Sequence, residues 1–256
     1  SGAGLYEMHR TGVLSDFSIP HIRPIVKGEI SSVILSGTML YYCQKICGRV
    51  RKHRKNRQTA LSSKSGTAVP GAESPAGRDL EDKMKDGFLR TAAATPKIRV
   101  ADPRYNAKQI IELMEQGESR GVRVMAFPEL CLTGYTCSDL FLQTALLAAA
   151  KEELKKIAQA SKKLHMIAFI GLPWEHEGKL YNVAAAVSGG RILGLVPKKN
   201  LPNYSEFYEM RHFSPGNERA LWIRMEGEKI PFGMNLLFCC EDVPDLVIAA
   251  EICEDV

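Results

Sequence analysis

The sequence predicts a mixed α/β fold in which helices cover a layered β-sheet. From Met84 onward, short apolar runs typical of buried strands alternate with two longer segments whose apolar residues recur at helical spacing. The composition, 45% apolar and 25% charged over 256 residues, is that of a globular protein with room for a sizeable core. Such alternation is typical of a sheet whose faces are covered by helices.

The first predicted elements are a strand at residues 88–94, a helix at 107–118 and a strand at 123–127. Ile110, Ile111 and Met114 keep the spacing of one helix face. Asn106 precedes them and has a side chain suited to an N-cap, where it can accept a hydrogen bond from a free backbone N–H. We therefore expect the helix to begin just after Asn106.

A second, longer helix is predicted at residues 139–163, capped by Ser138 or Asp139. One side carries apolar residues at helical spacing, namely Leu140, Leu147, Leu154 and Ile157. The segment KEELKK supplies the solvent-facing side, because charged residues three and four apart support each other on a helix surface.

The remaining predicted elements are strands at residues 166–171, 180–187, 191–196, 221–225, 235–239 and 247–252. The tripeptide SGG at 188–190 separates two of them and predicts a hairpin turn, since glycine takes turn conformations easily.

Residues 1–83 differ in composition from the rest of the chain. They carry 13 Lys/Arg against 7 Asp/Glu, whereas residues 84–256 carry 21 against 22, so the net charge of +5 comes from the first third. The basic run at 49–58 and the Ser, Gly and Pro-rich stretch at 62–78 predict a disordered basic extension with few contacts to the domain at 84–256. The abrupt change of composition at Met84 suggests a natural start there.

The basic run leaves a nucleic-acid-binding hypothesis open, although no aromatic residues lie between residues 49 and 78 to stack on bases. Nucleic acid is the less favoured partner for that reason. The seven cysteines, an odd number, favour reduced thiols and a cytoplasmic location over a disulfide framework. No apolar stretch near the N-terminus is long enough to predict a membrane span.

The last ten residues, VIAAEICEDV, place Cys253 directly after a strand-like apolar run. A cysteine acts as a nucleophile when a base, a cation and backbone N–H donors lie nearby, and the N–H of Glu254 could provide such a donor for an oxyanion. A lone buried cysteine is more often a small core residue. The stretch alone leaves both interpretations open.

Two further segments place reactive side chains just after predicted strands. In FPELCLTGY, Glu129 follows the strand at 123–127, and in VPKKNLPNYSEFYEMRHFSPG, Lys198 follows the strand at 191–196. Loops at the ends of strands collect reactive groups in α/β enzymes. Glu129 could be a general base, and Lys198, beside a loop rich in Tyr and Phe, could stabilise an oxyanion in a pocket. Alternatively, Glu129 is a solvent-exposed loop residue, and Lys198 and Lys199 are a solvated surface pair.

The sequence resembles the carbon-nitrogen hydrolase, or nitrilase, superfamily. The resemblance rests on Glu129, Lys198 and Cys253 and on the segments around them, FPEL, TGY, PKKNLPNYSEFYEMRHFSPG and ICED. The resemblance is most specific to the glutamine-hydrolysing domains of glutamine-dependent NAD synthetases, and it covers residues 84–256. It implies an α-β-β-α sandwich and a Glu129, Lys198 and Cys253 triad. It also implies that Tyr135 and Tyr204 line a glutamine pocket and that the Glu254 N–H assists the oxyanion.

The same resemblance implies partners and cofactors. The expected substrate is glutamine, and the amidase step needs no metal; Cys239 with Cys240, and His165 with His176, also lack zinc spacing. Because the sequence stops three residues after Cys253, we expect a C-terminally incomplete sandwich without its synthetase domain, where ATP and Mg²⁺ would bind. The complete enzyme is expected to be a homo-oligomer.

Three alternatives stay open at this point. An amidase of the same superfamily acting on another small amide would share the triad, and only the aromatic loop favours glutamine. A non-catalytic nucleic-acid-binding protein would use residues 49–58. An incomplete chain could also be inactive.

Overall fold

Two sheets and two α-helices make up the described part of the computed structural model, residues 4–8, 22–26, 89–217, 219–241 and 246–255. Helices α1 and α2 span Pro103–Ser119 and Thr144–Ala160. Strands β1 to β11 span, in order, Gly4–Met8, Ile22–Val26, Thr91–Thr95, Val124–Ala126, Ile167–His176, Lys179–Ser188, Arg191–Pro197, Leu221–Met225, Glu228–Phe232, Leu236–Cys240 and Val247–Ile248.

The larger sheet has eight strands in the order β1-β3-β4-β5-β6-β7-β9-β8. Strands β3, β4 and β5 run parallel, whereas β5, β6 and β7 form two consecutive antiparallel hairpins. The smaller sheet is antiparallel, in the order β11-β10-β2. Both β4 and β7 therefore end in loops that can carry side chains to a common site.

The core lies on both faces of the larger sheet. On one face the two helices bury an apolar cluster that includes Ile110, Leu154 and Ile170. On the other face the smaller sheet buries a second cluster, in which Phe169 and Phe238 meet edge to face at 5.5 Å between ring centroids. These are a helix layer and two sheet layers, and they confirm the predicted mixed α/β class.

Helix α1 begins four residues earlier than predicted. Its N-cap is Asp102, whose side chain accepts from the N–H of Tyr105 at 3.1 Å, and Pro103 occupies the first helical position. The predicted cap, Asn106, is wrong: its side chain is buried and bonds the backbone of Arg99 and Leu132 instead.

The predicted helix at 139–163 is divided into three pieces. A 3₁₀ helix spans Ser138–Leu142, α2 follows, and another 3₁₀ helix spans Ser161–Lys163. The break lies at Gln143, whose backbone is extended with ψ of 118°. Neither Ser138 nor Asp139 caps α2, and the Asp139 carboxylate pairs with Arg211.

The strand predictions are largely confirmed, with shifted ends. The SGG tripeptide forms the predicted hairpin turn between β6 and β7, with Gly189 and Gly190 at φ of 58° and 84°. Strand β5 continues beyond the predicted end at 171 because GLPWEH pairs with β6 through to His176. Strand β9 was not predicted, and β11 is shorter than the predicted 247–252.

Two short strands from residues 1–83 pair with the domain, and the sequence predicted neither. Strand β1 pairs antiparallel with β3, and β2 pairs antiparallel with β10. The other residues of this segment, including the basic run at 49–58, lie outside the described residues. The disordered extension stays a prediction for them. Within the described ranges, no helix combines the length and the apolar character that crossing a membrane requires.

Candidate active site

Lys198 is the centre of a buried cluster of charged side chains. It follows β7 directly, and its side chain is 0% exposed. Its Nζ donates hydrogen bonds of 2.7 Å to Oε1 of Glu129 and of 2.7 Å to Oε1 of Glu209. A buried ammonium group is tolerated only when it is paired and hydrogen-bonded, so the two carboxylates hold Lys198 in place. The prediction that Glu129 and Lys198 approach within hydrogen-bond reach is confirmed.

The backbone on both sides of Lys198 is fixed as well. Its N–H donates to the carbonyl of Asn182 on β6 at 2.8 Å, which continues the β6-β7 ladder by one residue. Its carbonyl accepts from the N–H of Gly216 at 2.7 Å. The lysine is therefore held at the sheet end by main-chain as well as side-chain bonds.

Glu129 lies in the loop after β4, which passes closely over β5 at Gly171. A Cβ atom at Gly171 would lie 2.3 Å from the nitrogen of Leu130 and 2.6 Å from the carbonyl oxygen of Pro128. Only glycine leaves room for this approach. The loop is also bonded to β5, since the N–H of Leu132 donates to the Gly171 carbonyl at 3.0 Å. The Glu129 side chain reaches Lys198 from this position, and Asn182 Nδ2 donates to the same Oε1.

Glu209 is a member of the cluster that sequence reasoning missed. It begins the 3₁₀ helix Glu209–Arg211 and is 4% exposed. The hydroxyl of Tyr135 also donates to its Oε1, at 2.7 Å. Two residues further along, Arg211 forms a two-pronged ion pair with Asp139 at 2.8 and 2.9 Å, which joins this 3₁₀ helix to the one before α2.

Cys253 begins the 3₁₀ helix Cys253–Asp255, with φ of 51°, and its side chain is exposed. Oδ1 of Asp255 accepts hydrogen bonds from the backbone N–H groups of Lys199 and Asn200, at 2.9 and 2.7 Å. Asn200 Nδ2 donates to the carbonyl of Glu254 at 2.8 Å. The cysteine turn is thus tied to the loop that follows Lys198.

The two predicted pocket tyrosines lie beside this cluster. Tyr204 is 56% exposed and donates its hydroxyl hydrogen to Oε1 of Glu254 at 2.6 Å. Phe207 packs edge-on against both Tyr135 and Tyr204, with ring centroids 6.4 and 5.8 Å apart. The three rings form a continuous aromatic wall, and a direct contact of either tyrosine with a substrate stays a prediction.

Burial and charge together set the protonation of the cluster. Burial raises the pKa of Glu129, and the hydrogen bond and charge of Lys198 act in the opposite direction. Burial disfavours the Lys198 ammonium, but hydrogen bonds to Glu129 and Glu209 outweigh it and raise the Lys198 pKa. Lys198 therefore stays charged near neutral pH.

Desolvation raises the pKa of the Cys253 thiol above its ordinary value of 9.0, although Lys198 lowers it. The Glu129 charge raises it further, and the Glu254 N–H favours the thiolate. The thiol is therefore protonated near neutral pH and needs a base before it can act as a nucleophile. Across the described ranges, no cluster of three or more His, Cys, Asp or Glu side chains could hold a metal ion.

Comparison with known proteins shows the family to which the chain belongs. The family model described as carbon-nitrogen hydrolase matches residues 90–256, most of the chain and all of the cluster. The chain belongs to the carbon-nitrogen hydrolase family. Its relatives include the glutamine-dependent NAD(+) synthetase of Mycobacterium leprae, 39% identical over 177 residues that make up 69% of this chain and 26% of that protein.

Two further relatives of this carbon-nitrogen hydrolase carry the same name. The glutamine-dependent NAD(+) synthetase of Mycobacterium bovis is 38% identical over 169 residues, 66% of this chain and 25% of that one. The crystal structure of a glutamine-dependent NAD(+) synthetase from Cytophaga hutchinsonii matches with a TM-score of 0.54 and 30% identity, covering 57% of this chain and 25% of that chain. The chain thus spans about a quarter of the length of these relatives, and its nitrilase-type fold is confirmed.

Sequence reasoning identified some members of the buried Lys198 cluster and missed others. It placed Glu129 and Lys198 together, and it singled out Cys253, whose pKa responds to the charges of both. It missed Asn182 and Glu209, which complete the hydrogen bonding around Glu129 and Lys198. The one sequence signal for Glu209 is its place in the aromatic loop that was predicted to wall a pocket.

Proposed function

We propose that this carbon-nitrogen hydrolase hydrolyses the side-chain amide of glutamine and supplies the released ammonia to an ATP-dependent synthesis of NAD. The observation that carries the proposal is the fully buried Lys198 held between Glu129 and Glu209 next to the Cys253 turn. This arrangement combines a base, a cation and a thiol, the groups that acyl transfer from an amide requires. The names of the relatives support glutamine as the amide.

The first chemical step forms a covalent thioester. Glu129 accepts the proton of the Cys253 thiol, and the thiolate attacks the amide carbon of glutamine. The carbonyl electron pair moves to oxygen, and the resulting oxyanion is stabilised by the Lys198 ammonium and the Glu254 N–H. Because the thiol is protonated at neutral pH, removal of its proton by Glu129 is part of this step.

The second step releases ammonia and regenerates the thiol. Glu129 returns its proton to the amide nitrogen, the carbon-nitrogen bond breaks, and ammonia leaves. Water, deprotonated by the same carboxylate, then attacks the thioester, and the sulfur departs as the thiol while glutamate is formed. Each proton taken by Glu129 is returned within the cycle, and neither step needs a metal ion.

The remaining parts of the proposal concern a longer protein. The relatives are about four times as long as the matched region, so we place the ATP and Mg²⁺ sites in a C-terminal synthetase domain of such a protein. That domain would pass the ammonia to the adenylylated deamido precursor of NAD. A homo-oligomeric, cytoplasmic enzyme is part of the same proposal.

The test is a comparison of glutamine-dependent and ammonia-dependent NAD synthesis by the full gene product. Cys253→Ala should abolish the glutamine-dependent rate and leave the ammonia-dependent rate intact, because free ammonia bypasses the thioester. Ammonia release should be measured with glutamine, asparagine and acetamide in parallel. Preference for another amide would favour the alternative amidase, and loss of both synthetic rates in Cys253→Ala would mean that the cysteine supports the fold.

A further inference from the structure

Both hydrogen bonds that Glu129 accepts from described residues fall on one of its two carboxylate oxygens. Lys198 Nζ donates to Oε1 at 2.7 Å, and Asn182 Nδ2 donates to the same atom. None of the described residues donates to Oε2. The two oxygens of the predicted base therefore differ, since one already accepts two hydrogen bonds and the other is available for a proton.

Asn182 is held rigidly in the middle of the sheet. It lies on β6, is 0% exposed, and pairs with Pro173 of β5. Its backbone carbonyl accepts the N–H of Lys198 at 2.8 Å. The same residue thus orients the backbone of the lysine and the side chain of the glutamate.

The amide oxygen of the Asn182 side chain orients neither Lys198 nor Glu129. This atom, Oδ1, is buried and has no hydrogen-bond partner among the described residues. An unpaired buried acceptor is unfavourable, so an apolar side chain of similar size would suit this position better if packing alone mattered. The bond from Nδ2 to Glu129 is what sets the amide apart from such a residue.

We propose that Asn182 is a positioning residue that, together with Lys198, occupies Oε1 of Glu129 so that the Cys253 proton is taken on Oε2. This rests on the proposed function, in which Glu129 is the base. The S–H bond of Cys253 breaks as an O–H bond forms at Oε2, and Nδ2 and Nζ remain bonded to Oε1. The proton can then be passed to the leaving nitrogen from the same oxygen.

The pH dependence of such a site follows from the charged and titratable groups that face Glu129. They are the Lys198 ammonium, the Glu209 carboxylate, the Tyr135 phenol and the Cys253 sulfur. Burial raises the pKa of Glu129, whereas the Lys198 and Asn182 hydrogen bonds lower it. Removing the Asn182 bond must raise that pKa further, so more Glu129 is protonated at a given pH and less base is available.

The experiment is the pH profile of kcat/KM for glutamine in Asn182→Leu and in the isosteric Asn182→Asp. Loss of a hydrogen bond to a charged group should lower kcat about tenfold to a hundredfold at neutral pH, with KM within about threefold of the parent. The acidic limb should move to higher pH in both variants. The shift should be larger in Asn182→Asp, because a second carboxylate then faces Glu129.

Asn106→Leu is the matched control, since Asn106 is equally buried but, among the residues that the structure describes, its side chain bonds only the Arg99 and Leu132 backbones. It should lower the melting temperature and leave the acidic limb in place. A uniform loss of rate in both Asn182 variants with an unmoved acidic limb would overturn the inference. Glu129→Gln separates the two proposals. If this variant keeps the parental rate, the proposed base is wrong. If it is inactive while the pH profiles of the Asn182 variants keep their acidic limb in place, only the role of Asn182 is rejected.

Discussion

The Tyr135 hydroxyl donates a hydrogen bond of 2.7 Å to Oε1 of Glu209, across 74 residues of sequence. The same oxygen accepts a hydrogen bond from Lys198. Tyr135 is therefore connected to the proposed oxyanion-stabilising lysine through Glu209. The pocket-lining role that the family resemblance implies for Tyr135 stays a prediction. That role and a role exerted through Glu209 have different kinetic consequences.

Tyr135→Phe should reduce stability and turnover modestly without changing KM. The loss of one hydrogen bond is worth about 1 kcal/mol, or about 2–4 °C in melting temperature for a domain of this size. Turnover of glutamine should fall less than about tenfold, since Glu209 keeps its bond to Lys198. Tyr181→Phe is the control, because its ring packs on Phe232 away from the cluster. A large increase in KM would instead indicate that the hydroxyl contacts glutamine.

Lys198→Ala should lower glutamine turnover by about a hundredfold to a thousandfold, the usual loss when an oxyanion donor is removed. It also leaves the buried Glu209 and the partly buried Glu129 without their shared cation, which should cost about 3–5 kcal/mol of stability. Turnover must therefore be expressed per folded molecule, measured by urea unfolding of the same preparation. Lys199→Ala should have almost no effect, because the exposed Lys199 contributes a backbone N–H to Asp255 that the alanine retains. A larger defect at Lys199 than at Lys198 would contradict the assignment.

Asp255→Ala should lower turnover about tenfold to a hundredfold by releasing the Cys253 turn, since small displacements of reacting groups strongly reduce rates. Its Oδ1 accepts two backbone N–H groups that directly follow Lys198. Asp255→Asn should remain within about threefold of the parent, because an amide oxygen can accept the same two bonds. The rate at which iodoacetamide alkylates Cys253 measures directly whether the turn has been released. Equal activity of the alanine and asparagine variants would show that these bonds do not position the thiol.

The free energy of unfolding should decrease at alkaline pH. Burial and the Glu209 carboxylate raise the pKa of Tyr135 above its ordinary 10.0, and the Lys198 pKa is also raised above 10.5 because two carboxylates outweigh its burial. The unfolded chain therefore loses these protons first. The stability contributed by each group is fully present below the ordinary value and is lost as the pH rises through the folded-state pKa. Urea unfolding between pH 8 and about 11 should show this decrease in the free energy of unfolding. The decrease with pH should be shallower in Tyr135→Phe. An identical pH dependence in that variant would contradict the assignment of the decrease to Tyr135.

The fold was predictable from sequence because its signals are local. Ile110 and Met114 on α1, and the glycines between β6 and β7, follow from helical spacing and turn chemistry alone. Strand β9 was missed because Lys229 and Pro231 interrupt the pattern of an apolar strand, and its pairing with β8 depends on a partner rather than on its own sequence. The cap at Asp102 was missed because Asn106 fits the same capping rule.

The site was only partly predictable, because its members are selected by tertiary contacts. Glu206 and Glu209 lie in the same loop with similar neighbours, yet Glu206 is exposed and Glu209 is buried against Lys198. Asn182 lies in a strand whose sequence predicts nothing about a glutamate 53 residues earlier. Lys198 was distinguished from Lys199 only by family resemblance. Spacing along the chain cannot supply any of these contacts.

The left-handed backbone of Cys253 sets stability against the proposed chemistry at a single residue. A side chain at φ of 51° is less stable than glycine in this conformation, by roughly 1–2 kcal/mol. Two inactive variants therefore should not be equivalent: Cys253→Gly should melt at a higher temperature than Cys253→Ala, although both lack the thiol. Glycine would relieve the backbone strain at this position, whereas the proposed thioester chemistry requires the thiol.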